Sequence, residues 1–384
     1  PVGTGPYRLK QWRRSSLIVL ERNPDFREML YDAEPAPDDA EGQALLARFK
    51  GRRLPLVDRV EISIIEESQP RWLAFLQGQQ DLMDRLPNDF APQVLPGGKL
   101  APNLTKKHLT LHRVVASDVA LSYFNMEDPV VGGYTPEKVA LRRAIGLAID
   151  VDREIRLFRR GQSVPAQSLY VPNTIGYDPE FRSDNSEHDV ARANALLDMY
   201  GYVDRDGDGW REQPDGSPLV IEYATHPDQL SRQMDELWKH NLATIGIRMT
   251  FKVAKWPETM KAARAGKVQM WFLGSSADSP DGGVALQRVY SPAAGGQNLA
   301  RFKLPEMDRL YERSLELPDG PERAQVLERA RNLVLAYAPY HYHVHRIYND
   351  ITQPWLIGYR RPVFSNVFWQ YVDIDNDILS REAP

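Results

Sequence analysis

The sequence predicts an α/β protein with more than one lobe. Its 384 residues are 42% hydrophobic and 26% charged, a composition typical of globular proteins, and at roughly 100 to 200 residues per domain this length predicts two or three lobes. Candidate helices alternate with candidate strands through the middle of the chain, and aromatic and β-branched residues return in 339–372. Such alternation is typical of sheets flanked by helices.

The first 125 residues favour short strands. Apolar residues alternate with charged ones from Tyr7, and 17–20 is a β-branched run, so two strands joined by a polar turn are expected. The acidic, proline-containing stretch 32–44 predicts an exposed loop. Later elements of this region are a strand within 57–65, a helix over 71–80 and a strand over 120–124.

The remaining chain predicts longer helices between strands. The spacing of apolar residues predicts one long helix from Pro136 toward Gly161. Further helices are expected at 189–200, 229–245, 257–265, 305–316 and 320–337, and strands at 218–224, 247–253 and 268–273.

Charge and composition argue against several functional classes. The 48 Lys and Arg residues nearly balance the 52 Asp and Glu residues, which leaves a net charge of −4 and no global field to attract nucleic acid. No apolar run approaches the roughly 18 residues of a membrane span. The absence of cysteine excludes thiolate metal sites and cysteine nucleophiles. Neither GxSxG nor HExxH occurs, so the sequence indicates no nucleophile paired with a base. We expect no enzyme and no cofactor.

The DRDGDG segment has the pattern of a calcium loop. Asp204, Asp206 and Asp208 alternate, as hard oxygen ligands for Ca²⁺ do, and Asp215 holds the position of the last EF-hand ligand. A strand and not a helix is predicted after the loop, however. The alternative is an Asp/Gly surface turn held by hydrogen bonds from backbone amides to side chains, with no need of calcium.

Three of the eight histidines lie at alternate positions. In a strand, His341, His343 and His345 would project from one face, where neighbours could share a metal ion. The alternative is a half-buried aromatic strand, because no Asp or Glu stands nearby in the sequence to complete the ligand set.

A polar loop follows the apolar strand predicted at 268–273. Asp278 lies in this loop, beyond Gly274, and loops at strand ends commonly line ligand clefts. The Asp278 carboxylate could hold a cationic group of a ligand, or it could cap the turn made by Pro280 and Gly282.

Several segments together resemble the family 5 extracellular solute-binding proteins, the receptors of bacterial ABC importers for peptides and related solutes. The resemblance covers nearly the whole chain in the family's order. It rests on GTGPYRLKQW (3–12), ERNPDF (21–26), LPLVDRVEISII (54–65), GQQDL (78–82), SYFNMEDP (122–129), VALRRAIGLAIDVDREI (139–155), LLDMYGYVDRDGDGWRE (196–212) and TIGIRM (244–249).

The resemblance implies a two-lobe architecture of the type II periplasmic-binding-protein kind, with mixed sheets flanked by helices. Residues 1–120 would belong to the first lobe together with the return segment 350–384, and residues 121–349 would form the C-terminal lobe. The chain would cross between lobes near 115–125 and 345–355. A signal sequence and the early part of the first lobe are expected upstream of residue 1.

The resemblance also implies a ligand-binding set. Peptide-binding members have a Gly-Trp-x-x-Asp stretch whose Asp receives the peptide amino terminus, and GSSAD places Asp278 at that position and Ser275 at the Trp position. The expected ligand-binding residues are Asp278, Ser275, Trp271, Tyr123 and Asn125.

The function implied is capture of a small solute, such as a peptide or another amine-bearing compound, and its delivery to a membrane permease. The protein would be a periplasmic monomer that meets the membrane only through the permease and binds no nucleic acid. Two alternatives remain open. One is a metal or metal-complex binding protein that uses His341, His343 and His345, and the other is an interaction module with a decayed pocket, suggested by Ser275 and Ser279 where the family has aromatic residues.

Overall fold

A computed structural model describes residues 3–365 and 367–382. Contacts divide the chain into two compact units. The split unit runs from the start of the chain to Val114 and resumes at Tyr348, and the central unit is Val115–Ile347. These limits lie within a few residues of the boundaries 120 and 350 expected from the sequence. That each unit corresponds to a lobe remains a prediction.

Strands and helices alternate as an α/β fold requires. The strands are β1 (Tyr7–Arg13), β2 (Leu17–Arg22), β3 (Arg59–Ser63), β4 (Leu82–Met83), β5 (Thr110–Val115), β6 (Asp118–Phe124), β7 (Ser163–Pro165), β8 (Val220–Thr225), β9 (Arg248–Val253), β10 (Met270–Ser276), β11 (Tyr340–Thr352), β12 (Leu356–Ile357) and β13 (Asp373–Ile374). The α-helices are α1 (Ala40–Phe49), α2 (Ser68–Leu76), α3 (Ala91–Val94), α4 (Pro102–Thr105), α5 (Pro136–Ala148), α6 (Val151–Leu157), α7 (Val190–Met199), α8 (Gln229–Ala243), α9 (Trp256–Arg264), α10 (Pro305–Glu316), α11 (Pro321–Tyr337) and α12 (Asn376–Glu382). No helix of the described residues is both long and apolar enough to cross a membrane.

The split unit contains a three-stranded antiparallel sheet in the order β1-β2-β3. Its largest apolar cluster includes Trp72 and Phe75 of α2 together with Ile351 near the end of β11. The Gln353 side chain donates a hydrogen bond to the Phe75 carbonyl at 2.7 Å. The returning segment is therefore part of this unit's core.

The central unit is built on a mixed sheet. Its strands lie in the order β11-β6-β10-β8-β9, with β7 paired to β11. β10 is antiparallel to β6 and parallel to β8, and β8 is parallel to β9. Side chains alternate between two faces, because successive residues of a strand point in opposite directions. Ala120 and Phe124 join the larger apolar cluster on one face, and Leu121 and Tyr123 join the second cluster on the other.

The predicted helix from Pro136 and the predicted loop at 32–44 differ from the structure. The long helix expected from Pro136 is divided in two, because Asp150 leaves helical geometry and its side chain accepts a hydrogen bond from the Arg153 amide to start α6. The loop expected at 32–44 ends early, since Asp39 caps α1 in the same way through the Gly42 amide. Both aspartates act as helix N-caps that divide or open a helix within a polar stretch.

Candidate functional site

One edge of the central sheet collects several chain ends. The carboxyl ends of β8, β9 and β10 share this edge because the three strands are parallel, and β6 begins there because it is antiparallel to β10. The chain enters the unit near this edge at Val115 and leaves it there at Ile347. In α/β sheets the loops at the carboxyl ends of strands are the usual place for ligands.

Three of the five residues expected to bind ligand share one face of the sheet. Trp271 is paired directly with Tyr123 across β10 and β6. Ser275 lies four residues beyond Trp271 on the same strand and so projects from the same side. Trp271 and Tyr123 are almost fully buried. The structure therefore brings these three residues to one surface beneath the carboxyl edge.

A cavity of about 320 Å³ lies on this face. Its volume is at the lower end of the range for small-molecule sites. Tyr123 and Ser275 contribute to its wall, and Trp271 lies beside it in the apolar cluster. The full lining is Leu121, Tyr123, Met260, Arg264, Leu273, Gly274, Ser275, Arg288, Gly296, Gln297, Leu299 and Tyr340.

Asp278 and Asn125 lie at opposite edges of the sheet. Asp278 is exposed, two residues beyond the end of β10. The backbone amide of Asn125 donates a hydrogen bond to the carbonyl of Gln269, which lies just before the start of β10. The Asn125 side chain donates a second one to the Gly266 carbonyl at 2.9 Å. The strand between them spans about 20 Å at ~3.3 Å per residue. Asn125 is thus separated from Asp278, although it lies near Tyr123 and Trp271, and it does not line the cavity.

The two charged side chains of the cavity lining are both cationic. Arg264 is exposed on α9, and Arg288 is half-buried in a 3₁₀ segment (Gly282–Val289). Burial lowers the pKa of Arg288 from its ordinary value. The Tyr123 hydroxyl is buried and has no hydrogen-bond partner among the described residues. No sequence pattern pointed to either arginine, because the segments that carry them meet only in the folded unit.

An ion pair that the sequence did not reveal marks the carboxyl edge. Asp118, fully buried at the start of β6, accepts a hydrogen bond of 2.6 Å from the Arg346 side chain. The Arg346 guanidinium lies against Gly274, where an added Cβ would stand only 3.3 Å from it. The sequence predicted that this strand ends before Gly274. In the structure β10 continues through Gly274 to Ser276, because its pairing with β6 continues.

The three histidines do not share a face, which corrects the prediction from their spacing. The pairing of β11 with β6 shifts by one residue between Tyr342 and Val344, so His343 occupies a β-bulge. Ahead of the bulge, the rings of His341 and His343 lie 4.7 Å apart. Beyond it, His345 contacts Tyr177 and bonds to the Asp118 carbonyl at 2.6 Å. A metal site built from all three loses its geometric basis.

His343 belongs to a buried polar network. Its ring nitrogens lie 2.9 Å from the Ser122 hydroxyl and 2.9 Å from the Glu154 carboxylate. Arg159 donates to the same carboxylate at 2.7 Å. Burial opposes ionisation of Glu154, but the charges of Arg159 and His343 outweigh it and lower the Glu154 pKa to about 2. An acidic partner for His343 therefore comes from α6, remote in the sequence.

The DRDGDG loop is a surface turn with clustered carboxylates. Asp204 accepts hydrogen bonds from the Gly207 and Gly209 amides, and Asp208 accepts one from the Trp210 amide. Ligand atoms of Asp204, Asp206, Asp208 and Glu212 lie within 4.8 Å of one another. Asp215 bonds instead to Ser217, so it does not take the final ligand position expected for an EF-hand. Calcium binding by the three alternating aspartates stays a prediction.

Comparison with known proteins identifies the family of this chain. The family described as "Bacterial extracellular solute-binding proteins, family 5 Middle" matches residues 1–297. The chain belongs to this family. It is 25% identical over 377 residues to heme-binding protein A of Haemophilus influenzae, covering 98% of this chain and 60% of that protein. It is 23% identical to di/tripeptide-binding protein 2 of Pseudomonas aeruginosa, covering 98% and 62%.

Solved structures of the same fold are similar over nearly the whole chain. The periplasmic binding protein DppA from Helicobacter pylori, in complex with the peptide STSA, gives a TM-score of 0.74 at 21% identity and covers 97% of this chain and 63% of that one. A dipeptide-binding protein from Pseudoalteromonas sp. SM9913 with Met-Leu gives 0.74 at 19% identity, covering 98% and 65%. The two-lobe periplasmic-binding-protein fold class is thus confirmed. The chain spans about three fifths of the length of the curated relatives it matches.

Proposed function

We propose that the full-length protein is the substrate-binding component of an ABC importer, which captures a small solute and delivers it to a membrane permease. Membership in a family of extracellular solute-binding proteins supports the class of function. The observation that carries the proposal to particular residues is the cavity lined by Tyr123 and Ser275 beside the carboxyl edge of the central sheet. The protein would act as a periplasmic monomer.

Capture of this kind needs binding and no bond chemistry. A solute acts on a binding protein through its difference in affinity between conformations, so no nucleophile or general base is required. The apolar part of the lining, with Leu121, Leu273 and Leu299, would bury the body of the solute. The curated relatives are named for di- and tripeptides and for heme, and we propose a peptide or another amine-bearing compound as the solute.

The test starts from the full-length protein purified without added solute. Mass spectrometry after denaturation should release a bound compound, and the same compound should raise the thermal stability of stripped protein. A solute at 100 times its dissociation constant adds about 2.7 kcal/mol. No released compound, and no stabilisation by a panel of dipeptides, tripeptides, amino acids and heme, would contradict the proposal.

A matched pair of variants locates the site. Ser275 lines the cavity, whereas its neighbour Ser276 is exposed and points to the other face. Ser275→Gln should weaken solute binding about tenfold or more, because the longer side chain occupies part of the cavity, and Ser276→Gln should leave the affinity unchanged. Equal effects of the two substitutions would place the solute elsewhere.

A further inference from the structure

The cavity holds positive charge that no protein group balances. Arg264 and Arg288 both line it, and the lining contains no Asp or Glu. Across the described ranges 3–365 and 367–382, neither guanidinium lies within 4 Å of a carboxylate. The contacts shown for these two arginines use their backbone carbonyls, which accept from Arg301 and from the Tyr340 hydroxyl.

Sheltered arginines of this chain are compensated in two ways, and Arg142, almost fully buried, donates to the backbone carbonyls of Val131, Gly133 and Tyr337. Arg159 is paired with Glu154, Arg323 with Asp281 and Asp319, and Arg361 with Asp350. Such pairing is expected, because a charge removed from water is costly unless an opposite charge or several hydrogen bonds replace the water. Among the described residues the guanidinium of Arg288, half-buried on the cavity wall, has neither a carboxylate nor a carbonyl partner.

A neutral donor lies in the same wall. The Tyr123 side chain is fully buried, and its hydroxyl has no hydrogen-bond partner among the described residues. A buried hydroxyl normally finds a partner, since leaving one unsatisfied costs about 1–3 kcal/mol. The cavity is thus surrounded by two guanidinium groups and one hydroxyl that can donate hydrogen bonds to a bound acceptor. Leu121, Leu273 and Leu299 supply apolar surface beside them.

We infer that this cavity receives an acidic group, a carboxylate or a phosphate, of a solute that also has an apolar part. Arginine is suited to both groups because its planar fork donates two parallel hydrogen bonds. The assignment rests on the proposed function in placing a solute here. It adds that the solute carries an acidic group, whereas Asp278, exposed beyond the end of β10, would engage an amine of the same solute.

The experiment uses simple anions on the full-length protein. Thermal stability is measured with acetate, malonate or inorganic phosphate against chloride at equal ionic strength, for the wild type and for Arg288→Gln, Arg264→Gln and Lys261→Gln. Lys261 is the matched control, an exposed cation on the same helix as Arg264 but outside the lining. Because Arg288 has no carboxylate partner, its replacement should not lower the stability measured in chloride.

At least one of the three anions should stabilise the wild type beyond chloride. Its dissociation constant should rise about tenfold or more in Arg288→Gln, rise to a smaller degree in Arg264→Gln and stay unchanged in Lys261→Gln. The inference is overturned if none of the anions stabilises the wild type, or if Arg288→Gln responds as the wild type does.

The solute assay separates this inference from the proposed function. If a solute co-purifies but has no carboxylate or phosphate group, or binds wild type and Arg288→Gln equally, the inference fails and the importer function stands. If the anions stabilise through Arg288 while no solute is found, the anion site stands and the proposed function fails.

Discussion

At the scale of single residues, buried acids in the central unit differ in what surrounds them. Glu154 is paired with the cationic Arg159 and lies 2.9 Å from a ring nitrogen of His343. Asp235 on α8 has a hydroxyl partner, Thr225 at 2.8 Å, and its other oxygen has no hydrogen bond within the described part of the chain. The two carboxyl groups therefore respond to pH in opposite directions.

Glu154→Gln should lower the free energy of unfolding at pH 7 by ~3–5 kcal/mol, because it leaves Arg159 buried without its charge partner. The folded-state pKa of Glu154 is lowered from 4.5 to about 2. The ion pair thus stabilises the fold above pH 4.5, and its contribution is lost as pH falls from about 4.5 through about 2. Urea unfolding of wild type and variant between pH 7 and pH 2.5 measures both effects.

The exposed Glu222 on β8 provides the control for this prediction. Glu222→Gln should change stability by less than about 0.5 kcal/mol, as surface substitutions usually do. An acid-unfolding profile for Glu154→Gln that parallels the wild type would contradict the role assigned to the ion pair.

Asp235→Asn should stabilise the protein at pH 7 by about 1–3 kcal/mol. Burial raises the pKa of Asp235 from 3.8 to about 6, although the Thr225 hydrogen bond opposes this. The folded state then binds a proton more tightly than the unfolded state. Protonation of Asp235 therefore stabilises the wild type fully below pH 3.8, and this contribution is lost as pH rises through about 6. Unfolding at pH 7 and at pH 4 should show a gain at pH 7 and little change at pH 4; a loss at pH 7 argues against it.

Asp278→Asn should weaken binding of an amine-bearing solute about tenfold or more, because the variant keeps the shape of the side chain and removes its charge. If Asp278 only caps the turn after β10, asparagine should serve nearly as well, since both side chains accept hydrogen bonds from backbone amides. Titration calorimetry of the full-length protein with its co-purified solute distinguishes these outcomes. Unchanged affinity would remove Asp278 from the site.

At the scale of elements, local polar residues set where helices, strands and turns begin and end. Asp150 starts α6 and divides the helix expected from Pro136. The bulge at His343 reverses which residues of β11 face each apolar cluster, so that Val344 joins the same cluster as Ala120. The one extra residue of the bulge thus moves His345 to the other face of the sheet, although the histidines still alternate in the sequence.

The 204–212 loop should not need calcium for its stability. Asp204→Ala should lower the free energy of unfolding by about 1 kcal/mol in calcium and in EDTA alike, because it removes the acceptor of two backbone hydrogen bonds. Melting temperatures of wild type, Asp204→Ala and Asp206→Ala in both conditions provide the measurement. Calcium-dependent melting that disappears in Asp206→Ala would establish a metal site.

At the scale of the whole molecule, one long strand contributes residues to both units. β11 pairs with β6 through its first half and with β4 through its last residues. It passes from the central unit to the split unit between Ile347 and Tyr348. A chain that returns in this way gives the first unit both its early and its late segments, as Ile351 shows by packing with Phe75.

Sequence by itself determined the α/β class, the family and most element positions. Alternation and helical spacing are local properties, so β1, β2, β8, β9 and helices such as α7 and α10 were expected within a few residues of their bounds. The ordered motifs identified the family, which the comparison confirms. The resemblance to the family gave Asp278, Ser275, Trp271, Tyr123 and Asn125 as ligand-binding residues, and their role in binding stays a prediction.

Only the tertiary structure decided which side chains meet. Arg264, Arg288 and Tyr123 surround one cavity although they come from α9, a 3₁₀ segment and β6, and no local pattern encodes such an encounter. The separation of Asn125 from Asp278 follows from the antiparallel register of β6 and β10. The three histidines do not share a face because of one bulge. The face on which a strand residue lies depends on its pairing with the neighbouring strand as well as on its position in the sequence.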